Sequence, residues 1–206
     1  MSIVVVTGAT GAAGTAACAA LLDAGHRVVA VGSDAERLSG VPASVRHVCD
    51  LTDAAQTAEL AATVRAKEGG ADALVHLVGG WRSGHEARDW DWLEARILTT
   101  LRLTTLAVIG DLTASDSGRL VTIGSVTAGE PTWSGANYSV LKTAASAWVA
   151  SVASGWRKAG TGAAVELLVR SIGPDGTPVE VVAGRIVDAM GGDPAELNGA
   201  RIDLSA

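Results

Sequence analysis

Three polar side chains in the second half of the chain have the types and spacing of a proton-transfer site. Tyr138 is the only tyrosine, Lys142 follows it by four residues, and Ser125 precedes it by thirteen. Residues i and i+4 of a helix share a face, so Tyr138 and Lys142 are predicted to point the same way. A phenol can donate or accept a proton, and a hydroxyl can stabilise charge on a reacting oxygen. The alternative is an amphipathic helix on which the Tyr138–Lys142 pair is accidental.

A glycine-rich turn near the N-terminus is a candidate phosphate-binding site. The segment VVVTGATGAAG places Gly8, Gly11 and Gly14 after an apolar run and at the start of a helical pattern, with Thr10 between them. Glycines allow backbone N–H groups to approach a pyrophosphate, and a helix N-terminus adds about half a positive charge. The alternative is a tight turn in a chain that contains 25 glycines. Because these glycines stand between a strand and a helix, we interpret the turn, including Thr10, as a dinucleotide site.

Two further segments are predicted to extend this site along the ends of other strands. Asp50 follows the third predicted strand, where its carboxylate would accept a hydrogen bond from an adenine amino group, and Leu51 stands beside it. The alternative for Asp50 is a helix N-cap. Val78 and Gly79 end the fourth predicted strand and would let a cofactor pass close to the backbone. In open α/β sheets, ligands bind beyond these strand ends.

The elements that would position these residues alternate between strands and helices. Seven apolar runs are predicted strands: 2–6, 27–31, 44–48, 72–78, 118–125, 163–172 and 200–205. Helices are predicted over 12–24, 33–38, 52–67, 88–112 and 136–158, and a last one begins at 177–178; Ser33, Thr52 and Thr177 are the predicted N-caps of three of them. Strands that are apolar on both faces belong to a parallel sheet with helices on both sides. We therefore predict one α/β domain, 1–206, with a doubly wound, seven-stranded parallel sheet.

Composition and charge exclude several classes of partner. The net charge of −6 and the scattered basic residues argue against nucleic acid, because phosphate binding needs a positive field. Cys18 and Cys49 lack a CxxC partner and are predicted to be buried free thiols, and the four histidines lack metal-ligand spacing. No apolar run approaches the ~18 residues of a membrane span, and the N-terminus is predicted to be a strand, not a signal peptide. We predict a cytoplasmic protein with no membrane or metal partner.

The motifs together resemble those of the short-chain dehydrogenase/reductase family. They are TGATGAAG at 7–14, DLTD at 50–53, Ser125, and YSVLK at 138–142, and the resemblance covers nearly the whole chain. It implies a Rossmann fold and the transfer of a hydride between a nicotinamide cofactor and a carbonyl or alcohol substrate. It further implies that Tyr138 is the acid or base and that Ser125 binds the substrate oxygen. Lys142 would lower the pKa of Tyr138 and hold the nicotinamide ribose, and both Tyr138 and Lys142 are assigned to the cofactor site as well.

The resemblance also implies a homodimer or homotetramer built on the two long helices. The second long helix carries more apolar side chains than one face of a monomer's helix needs. They are Trp148, Val149, Val152 and Trp156.

The end of the second predicted strand bears on the choice of cofactor. An NAD enzyme would carry an acidic residue there to hold the ribose 2′-OH. Gly32 and Ser33 occupy this place, and Arg37 could reach a 2′-phosphate, although Asp34 and Glu36 weaken the local positive field. We assign Ser33 to the cofactor site and predict a slight preference for NADP over NAD.

The chain departs from the family pattern at several positions. Thr100 stands where family members carry an asparagine that helps to hold a relay water, and Thr99 is one residue away. The usual Asn-Asn-Ala-Gly is replaced by HLVG at 76–79, and the commoner glycine spacing would place a glycine at Ala12. A threonine hydroxyl could still hold a water, but these changes predict a weaker relay.

The segment after the sixth strand is short where family members carry a longer substrate cover. SIGPDGTPVEVV reaches the next helix almost at once, which indicates an open site, a bulky or carrier-bound substrate, or weak catalysis. Segment 80–92 is the remaining candidate cover, and its Trp81, Trp90 and Trp92 would either line an apolar pocket or pack. A catalytically weak dinucleotide-binding or redox-sensing protein is therefore the alternative to an enzyme. An epimerase or dehydratase is less favoured, because such chains usually carry a larger substrate domain.

Overall fold

One parallel sheet of seven strands forms the centre of the molecule. The structure is a computed structural model that describes residues 1–158 and 160–205. In chain order the strands are β1 (Ile3–Thr7), β2 (Arg27–Gly32), β3 (Val45–Val48), β4 (Ala73–His76), β5 (Arg119–Ser125), β6 (Ala163–Val169) and β7 (Arg201–Asp203). They lie side by side in the order β3-β2-β1-β4-β5-β6-β7. The predicted seven-stranded, doubly wound sheet is confirmed.

Helices connect consecutive strands. They are α1 (Ala12–Asp23), α2 (Ala35–Ser39), α3 (Ala54–Glu68), α4 (Ala87–Glu94), α5 (Thr100–Ala114), α6 (Ala136–Trp156), α7 (Val179–Gly191) and α8 (Pro194–Leu197). A π-helical segment, Ala95–Thr99, joins α4 to α5, and two short 3₁₀ turns, Val126–Gly129 and Trp133–Gly135, precede α6. Segments of π-helix are rare and are frequent at functional sites.

The five central strands of the sheet are buried on both faces, as their apolar sequences predict, whereas the edge strands β3 and β7 are partly exposed. Successive side chains of a strand point to opposite faces. Val4 and Val6 of β1 therefore belong to the core that includes α1 and α7, whereas Val5 belongs to the core that includes α3, α5 and α6. Strand β1 pairs with β2 on one side and with β4 on the other. The chain first continues outward from β1 through β2 and β3, and then returns to the other side of β1 at β4, so the strand order reverses between β1 and β4. A crevice at the carboxyl ends of strands is expected at this reversal.

The N-caps of α2 and α3 lie one residue later than predicted. Asp34, not Ser33, accepts the backbone N–H of Arg37, and Asp53, not Thr52, accepts backbone N–H groups at the start of α3. In both pairs an aspartate follows the hydroxyl residue directly, so the carboxylate takes the capping position. The predicted caps Ser33 and Thr52 are wrong, while the predicted stop of α3 is confirmed by the left-handed Gly69.

Helix α7 also begins one residue later than predicted. Pro178 is its N-cap, not its first helical residue, and it has extended backbone with ψ 142°. The predicted cap Thr177 instead donates its hydroxyl to the carbonyl of Leu204, at 2.7 Å. This bond fixes the short segment after β6 to the end of the chain that follows β7.

The stretch Ala87–Ala114 contains the longest run of helix, at 28 residues with mean hydropathy 1.3 over its most apolar window. By length and composition this stretch could cross a membrane. The property is not evident from the sequence, because the stretch contains no unbroken apolar run of that length. Core helices of globular proteins meet the same criterion. Side chains of this stretch are buried in the core at five apolar positions: Leu93, Ile97, Leu101, Val108 and Leu112. Packing therefore accounts for part of its hydropathy, since 39% of the apolar window is buried in this fold.

Helices α5 and α6 border an apolar groove of about 310 Å³ on the outside of the fold. Ile109 lines it from α5, and Trp148 and Val152 line it from α6. Val149 and Trp156, which were expected to add to the same surface, are buried, so the exposed apolar area is smaller than predicted. The homo-oligomer through these helices stays a prediction.

Both cysteines are buried free thiols, as predicted. Burial raises the pKa of Cys18 to about 12 and that of Cys49 to about 11. Neither thiol is therefore a nucleophile at neutral pH, because the thiolate is the reactive form.

Candidate active site

The glycine turn between β1 and α1 is packed too closely for side chains at two of its glycines. Gly8 has φ +72°, and a Cβ there would lie 2.8 Å from the carbonyl carbon of Leu77. A Cβ on Gly14 would lie 2.7 Å from Cα of Ala9 and closer still to the carbonyl oxygen of Gly8. Gly11 is the N-cap of α1, and no side chain caps this helix. The turn therefore presents an uncapped helix N-terminus, which fits a phosphate group.

A cleft of about 550 Å³ lies over this turn at the carboxyl ends of the strands. Eight of the predicted cofactor residues line it: Gly8, Thr10, Gly11, Ser33, Asp50, Leu51, Val78 and Gly79. Gly14 does not line the cleft but is buried beneath the turn, where it allows the close packing. The residues present therefore fit a dinucleotide, although its binding by each of them stays a prediction.

The Asp50 carboxylate is oriented by its neighbour in the cleft. One of its oxygens accepts the backbone N–H of Thr52 at 2.9 Å and the Thr52 hydroxyl at 2.7 Å. Asp53 caps α3, so the interpretation of Asp50 as a helix N-cap is wrong. The predicted role at an adenine amino group stays open to Asp50.

Arg37 lies at the Gly32–Ser33 end of the cleft. Its guanidinium donates to the carbonyl of Thr10 at 3.0 Å. A Cβ on Gly32 would lie 3.0 Å from the Thr10 methyl carbon, so β2 ends in close contact with the glycine turn. This geometry places a guanidinium beside the position at which a ribose 2′-group is expected.

A second cleft, of about 660 Å³, adjoins the first and contains two of the predicted catalytic side chains. Tyr138 and Lys142 line it from α6, and the segment 77–79 borders both clefts. Ser125, at the end of β5, is buried, and its hydroxyl is 2.8 Å from that of Thr127, which lines this cleft. The structure thus places the three predicted catalytic residues close together at the carboxyl end of β5.

The interaction expected between Lys142 and Tyr138 is not the one observed. Lys142 Nζ donates to the carbonyl of Ile123 at 2.7 Å and lies 6.0 Å from the centroid of the Tyr138 ring. Burial raises the pKa of the Tyr138 phenol, and the Ser125 hydroxyl offsets part of this rise. Burial lowers the pKa of Lys142 to about 8, against the opposing effect of the Glu166 carboxylate. The predicted lowering of the Tyr138 pKa by Lys142 is therefore wrong for this structure, because desolvation dominates.

Thr100 belongs to a buried hydrogen-bond chain that joins α5 to the sheet. Its hydroxyl donates to the carbonyl of Arg96 at 2.7 Å and lies 3.3 Å from Nε2 of His76. Nδ1 of His76 lies 2.8 Å from the Thr7 hydroxyl. Because a threonine has one donor, Thr100 accepts from Nε2 of His76, and Nδ1 accepts from Thr7. The Thr100 hydroxyl therefore has no proton left to donate, so it could hold a relay water only by accepting a hydrogen bond from it.

We expect the buried His76 to make the protein less stable as the pH falls. Burial, and next the charge of Lys142, lower the pKa of His76 to about 3 in the folded chain, whereas an unfolded chain titrates at ~6.5. The unfolded state binds the extra proton between these values. The free energy of unfolding should therefore fall by about 1.4 kcal/mol per pH unit below ~6.5 from this residue.

Chemical denaturation of the wild type and of His76→Asn between about pH 8 and pH 5 would measure this effect. The variant keeps a hydrogen-bonding side chain but does not titrate, so its stability should depend less steeply on pH below ~6.5. Equal slopes for the two proteins would show that His76 does not carry the dependence.

The segment 80–86 contacts the start of α6 and the 3₁₀ turn before it. The carbonyl of Gly84 accepts from the side-chain amide of Asn137 at 3.1 Å, and the rings of His85 and Trp133 stack with centroids 4.3 Å apart. Of the three candidate cover tryptophans, Trp81 lines the cleft and is 65% exposed, whereas Trp90 and Trp92 do not line it. One tryptophan of the candidate cover therefore fits the pocket prediction.

The short segment after β6 closes on itself and leaves one side of the cleft open. The backbone N–H of Gly173 donates to the carbonyl of Thr177 at 3.0 Å, and the N–H of Thr177 donates to Ser171 at 2.9 Å. Ile172 and the exposed Arg170 line the cleft at this side. The sequence prediction of a reduced substrate cover agrees with this compact turn.

Arg96 lines the first cleft and is a candidate that the sequence reasoning missed. It follows Trp92 by four residues in the helical stretch, and its guanidinium stacks on that indole. The i, i+4 spacing of Trp92 and Arg96 is the signal that could have revealed the contact.

Comparisons with known proteins agree with this fold. A family model described as short chain dehydrogenase matches residues 2–182. The chain is 30% identical over 155 residues to 2,3-dihydro-2,3-dihydroxybenzoate dehydrogenase of Bacillus subtilis, which covers 69% of this chain and 59% of the relative. It is 31% identical over 153 residues to an uncharacterized oxidoreductase of Staphylococcus aureus, with 69% and 66% covered. The NADPH-bound structure of a short chain oxidoreductase of Pseudomonas aeruginosa with an atypical catalytic center has a TM-score of 0.90 at 20% identity, with 99% and 95% covered.

The matches differ in what they show. The chain spans less than two thirds of the length of the two relatives from Bacillus subtilis and Staphylococcus aureus. The structural likeness at 20% identity shows a shared fold. The family match extends over residues 2–182, which include the glycine turn, Ser125, Tyr138 and Lys142. The chain therefore belongs to the short-chain dehydrogenase/reductase family.

Proposed function

We propose that the protein is an NAD(P)-dependent oxidoreductase that interconverts a carbonyl and an alcohol. The observation that carries this proposal is the pair of adjoining clefts, one over the glycine turn and one lined by Tyr138 and Lys142, with segment 77–79 between them. A dinucleotide lying across both would bring its nicotinamide end to Tyr138. The names of the two relatives, a dehydrogenase and an oxidoreductase, support the same class of reaction.

The side chains of the second cleft divide the chemistry among them. Tyr138 keeps its proton at neutral pH, because a phenol has a pKa of ~10 and burial raises the pKa of Tyr138 further, so it can donate to a carbonyl oxygen. Ser125 would bind the same oxygen and stabilise the charge that develops there. Lys142, with a pKa of about 8, carries a positive charge on most molecules at neutral pH and would orient the nicotinamide ribose. A bound nicotinamide dinucleotide supplies or takes up the hydride.

The first cleft favours NADP slightly over NAD. Gly32 and Ser33 end β2 without a carboxylate that would repel a 2′-phosphate, and the guanidinium of Arg37 is held beside them through the Thr10 carbonyl. Asp34 is engaged as the cap of α2 and accepts a backbone N–H, which leaves its negative charge close to this end. We therefore expect only a modest preference.

Purified protein titrated with NADPH and NADH, and then assayed with a panel of carbonyl compounds, tests the proposal. We expect both nucleotides to bind, NADPH more tightly, and at least one carbonyl to be reduced. If neither nucleotide binds at millimolar concentration, the proposed function is wrong.

One observation favours a second function, a catalytically weak dinucleotide-binding or redox-sensing protein. The Thr100 hydroxyl, which stands in place of the relay asparagine, donates its single proton to the carbonyl of Arg96 and therefore has none to donate to a water chain. Tight nucleotide binding without turnover of any carbonyl in a broad panel would support this second function over the first.

A further inference from the structure

Three side chains, Arg82, Trp92 and Arg96, form a stack beside the first cleft, the nucleotide cleft, and Arg96 is the one of them that lines it. The guanidinium carbon of Arg96 lies 4.2 Å from the centroid of the Trp92 ring, and that of Arg82 lies 4.5 Å from the same centroid. Gly80 makes room for the indole, since a Cβ at Gly80 would lie 2.5 Å from Trp92 Cη2. Guanidinium groups are attracted to the face of an indole. The Arg82–Trp92–Arg96 stack therefore fixes two cations in place.

The two arginines of the stack have different surroundings. Arg82 lies 3.7 Å from the carboxylate of Asp89 and does not line the nucleotide cleft. Arg96 lines that cleft, and within residues 1–158 and 160–205 no ion pair of Arg96 is found. A cation that is held in place without a carboxylate partner is prepared for an anion that enters the cleft.

We infer that Arg96 is a cofactor-binding residue whose guanidinium pairs with the pyrophosphate of the dinucleotide. The inference rests on the proposed function, because it concerns the same cleft. Arg96 shares this cleft with Gly8 and Gly11, where the uncapped N-terminus of α1 fits a phosphate. At the Gly32–Ser33 end of this cleft, where a 2′-phosphate is expected, the cation is Arg37, whose guanidinium donates to the carbonyl of Thr10.

A guanidinium suits this position better than an ammonium group would. Its planar fork matches phosphate oxygens and stacks on aromatic rings at the same time. Stacking on Trp92 also removes part of the side-chain entropy that binding would otherwise cost. Trp92 therefore acts as a positioning residue for Arg96.

Arg96→Met and Arg82→Met form a matched pair for the test. Dissociation constants of NADPH and NADH are measured for the wild type and both variants by tryptophan fluorescence and calorimetry. Because both nucleotides contain the pyrophosphate, we expect Arg96→Met to weaken both by about tenfold, the typical effect of losing a hydrogen bond to a charged group. Arg82→Met removes a cation from the same indole outside the cleft and should change neither constant by more than about twofold.

Other outcomes overturn the inference in distinguishable ways. A loss confined to NADPH would show that Arg96 contacts the 2′-phosphate, and unchanged constants would show that it contacts no charged group. If the wild type binds neither nucleotide, the proposed function fails and the inference with it. If the wild type binds and only the Arg96 effect is absent, the proposed function stands.

Arg96→Lys and a salt titration separate charge from fold. Arg96→Lys keeps the charge without the planar fork, so we expect its affinity to lie between those of the wild type and Arg96→Met. Nucleotide affinity of the wild type should fall more steeply with ionic strength than that of Arg96→Met, since an ion pair has been removed. Thermal unfolding of each variant shows whether it is folded. If Arg96→Met is not folded, the comparison of the wild type with Arg96→Lys becomes the test. If the wild type, Arg96→Lys and Arg96→Met all bound the nucleotides with equal affinity and equal salt dependence, the charge of Arg96 would have no role in binding.

Discussion

Tyr138→Phe is expected to lower the rate of carbonyl-dependent nucleotide oxidation by about 10³-fold, in line with the loss of a general acid. The substitution removes one hydroxyl and keeps the ring. Tyr138 is half-buried on α6 and lines the second cleft, and its phenol holds its proton because burial raises the pKa. Without this proton the developing oxyanion would lose the phenol donor and would depend on Ser125 for stabilisation. The measurement is kcat under saturating NADPH with the best carbonyl of the panel.

Nucleotide binding provides the internal control for this variant. The hydroxyl of Tyr138 is not part of the cleft over the glycine turn, so the dissociation constant of NADPH should change by less than about threefold. Ser125→Ala should cost less than Tyr138→Phe, about 10²-fold, because a remaining acid still donates. A Tyr138→Phe enzyme that retains a tenth or more of the wild-type kcat would mean that another group supplies the proton.

The rates of carbonyl reduction and of alcohol oxidation should respond differently to pH. Because the pKa of Tyr138 is raised, the acid form needed for carbonyl reduction persists through neutral pH, and the reduction rate should be flat there. Alcohol oxidation needs the deprotonated phenol, so its rate should rise as the pH increases. A rate of oxidation that declines with rising pH would be inconsistent with Tyr138 as the base.

The fold was largely predictable because strand and helix patterns are local. Apolar runs, bounded in places by glycines, predicted all seven strands, and the structure confirms that the strands follow one another along the chain as predicted. Ends were less predictable. The fourth strand was expected over 72–78 but ends at His76, because the next residues leave the sheet to line the clefts. The sixth was expected to reach Ile172 but ends at Val169, where the chain turns into the short segment that follows.

Site residues were predictable where spacing alone decides their position. Tyr138 and Lys142 share a helix, so their common cleft follows from the sequence. Their partners depend on tertiary contacts, and these were missed. Lys142 binds the carbonyl of Ile123 from β5, and Thr100 binds His76 from β4, each across many residues of sequence. No local pattern reports such contacts, because they are set by how helices lie on the sheet.

Substitutions in the glycine turn should separate fold from nucleotide binding. Gly14→Ala would place a Cβ 2.7 Å from Cα of Ala9, against backbone that cannot move without displacing the turn. We expect a loss of about 3 kcal/mol of unfolding free energy, which corresponds to a fall in Tm of roughly 6–12 °C for a domain of this size. NADPH affinity should fall as well, because the displaced turn no longer presents the N-terminus of α1 correctly.

Gly11→Ala is the informative comparison, since it should weaken nucleotide binding with little loss of stability. A Cβ at Gly11 meets only the Gly8 carbonyl oxygen, at 3.4 Å, which is an ordinary contact. Its stability should therefore stay within about 0.5 kcal/mol of the wild type. Gly11 lines the cleft, however, so the added methyl group would stand where a pyrophosphate is expected, and NADPH should bind at least about tenfold more weakly.

Gly110→Ala in α5 completes the set as the variant that should harm neither property. Nothing lies within 4 Å of a Cβ at Gly110, and alanine is favoured over glycine within a helix by about 1 kcal/mol. Thermal unfolding and NADPH titration of the three variants should give three different combinations of stability and affinity. A general loss of stability alone could not produce all three. If Gly11→Ala bound NADPH as tightly as Gly110→Ala does, the pyrophosphate would not lie on this turn, whatever Gly14→Ala showed.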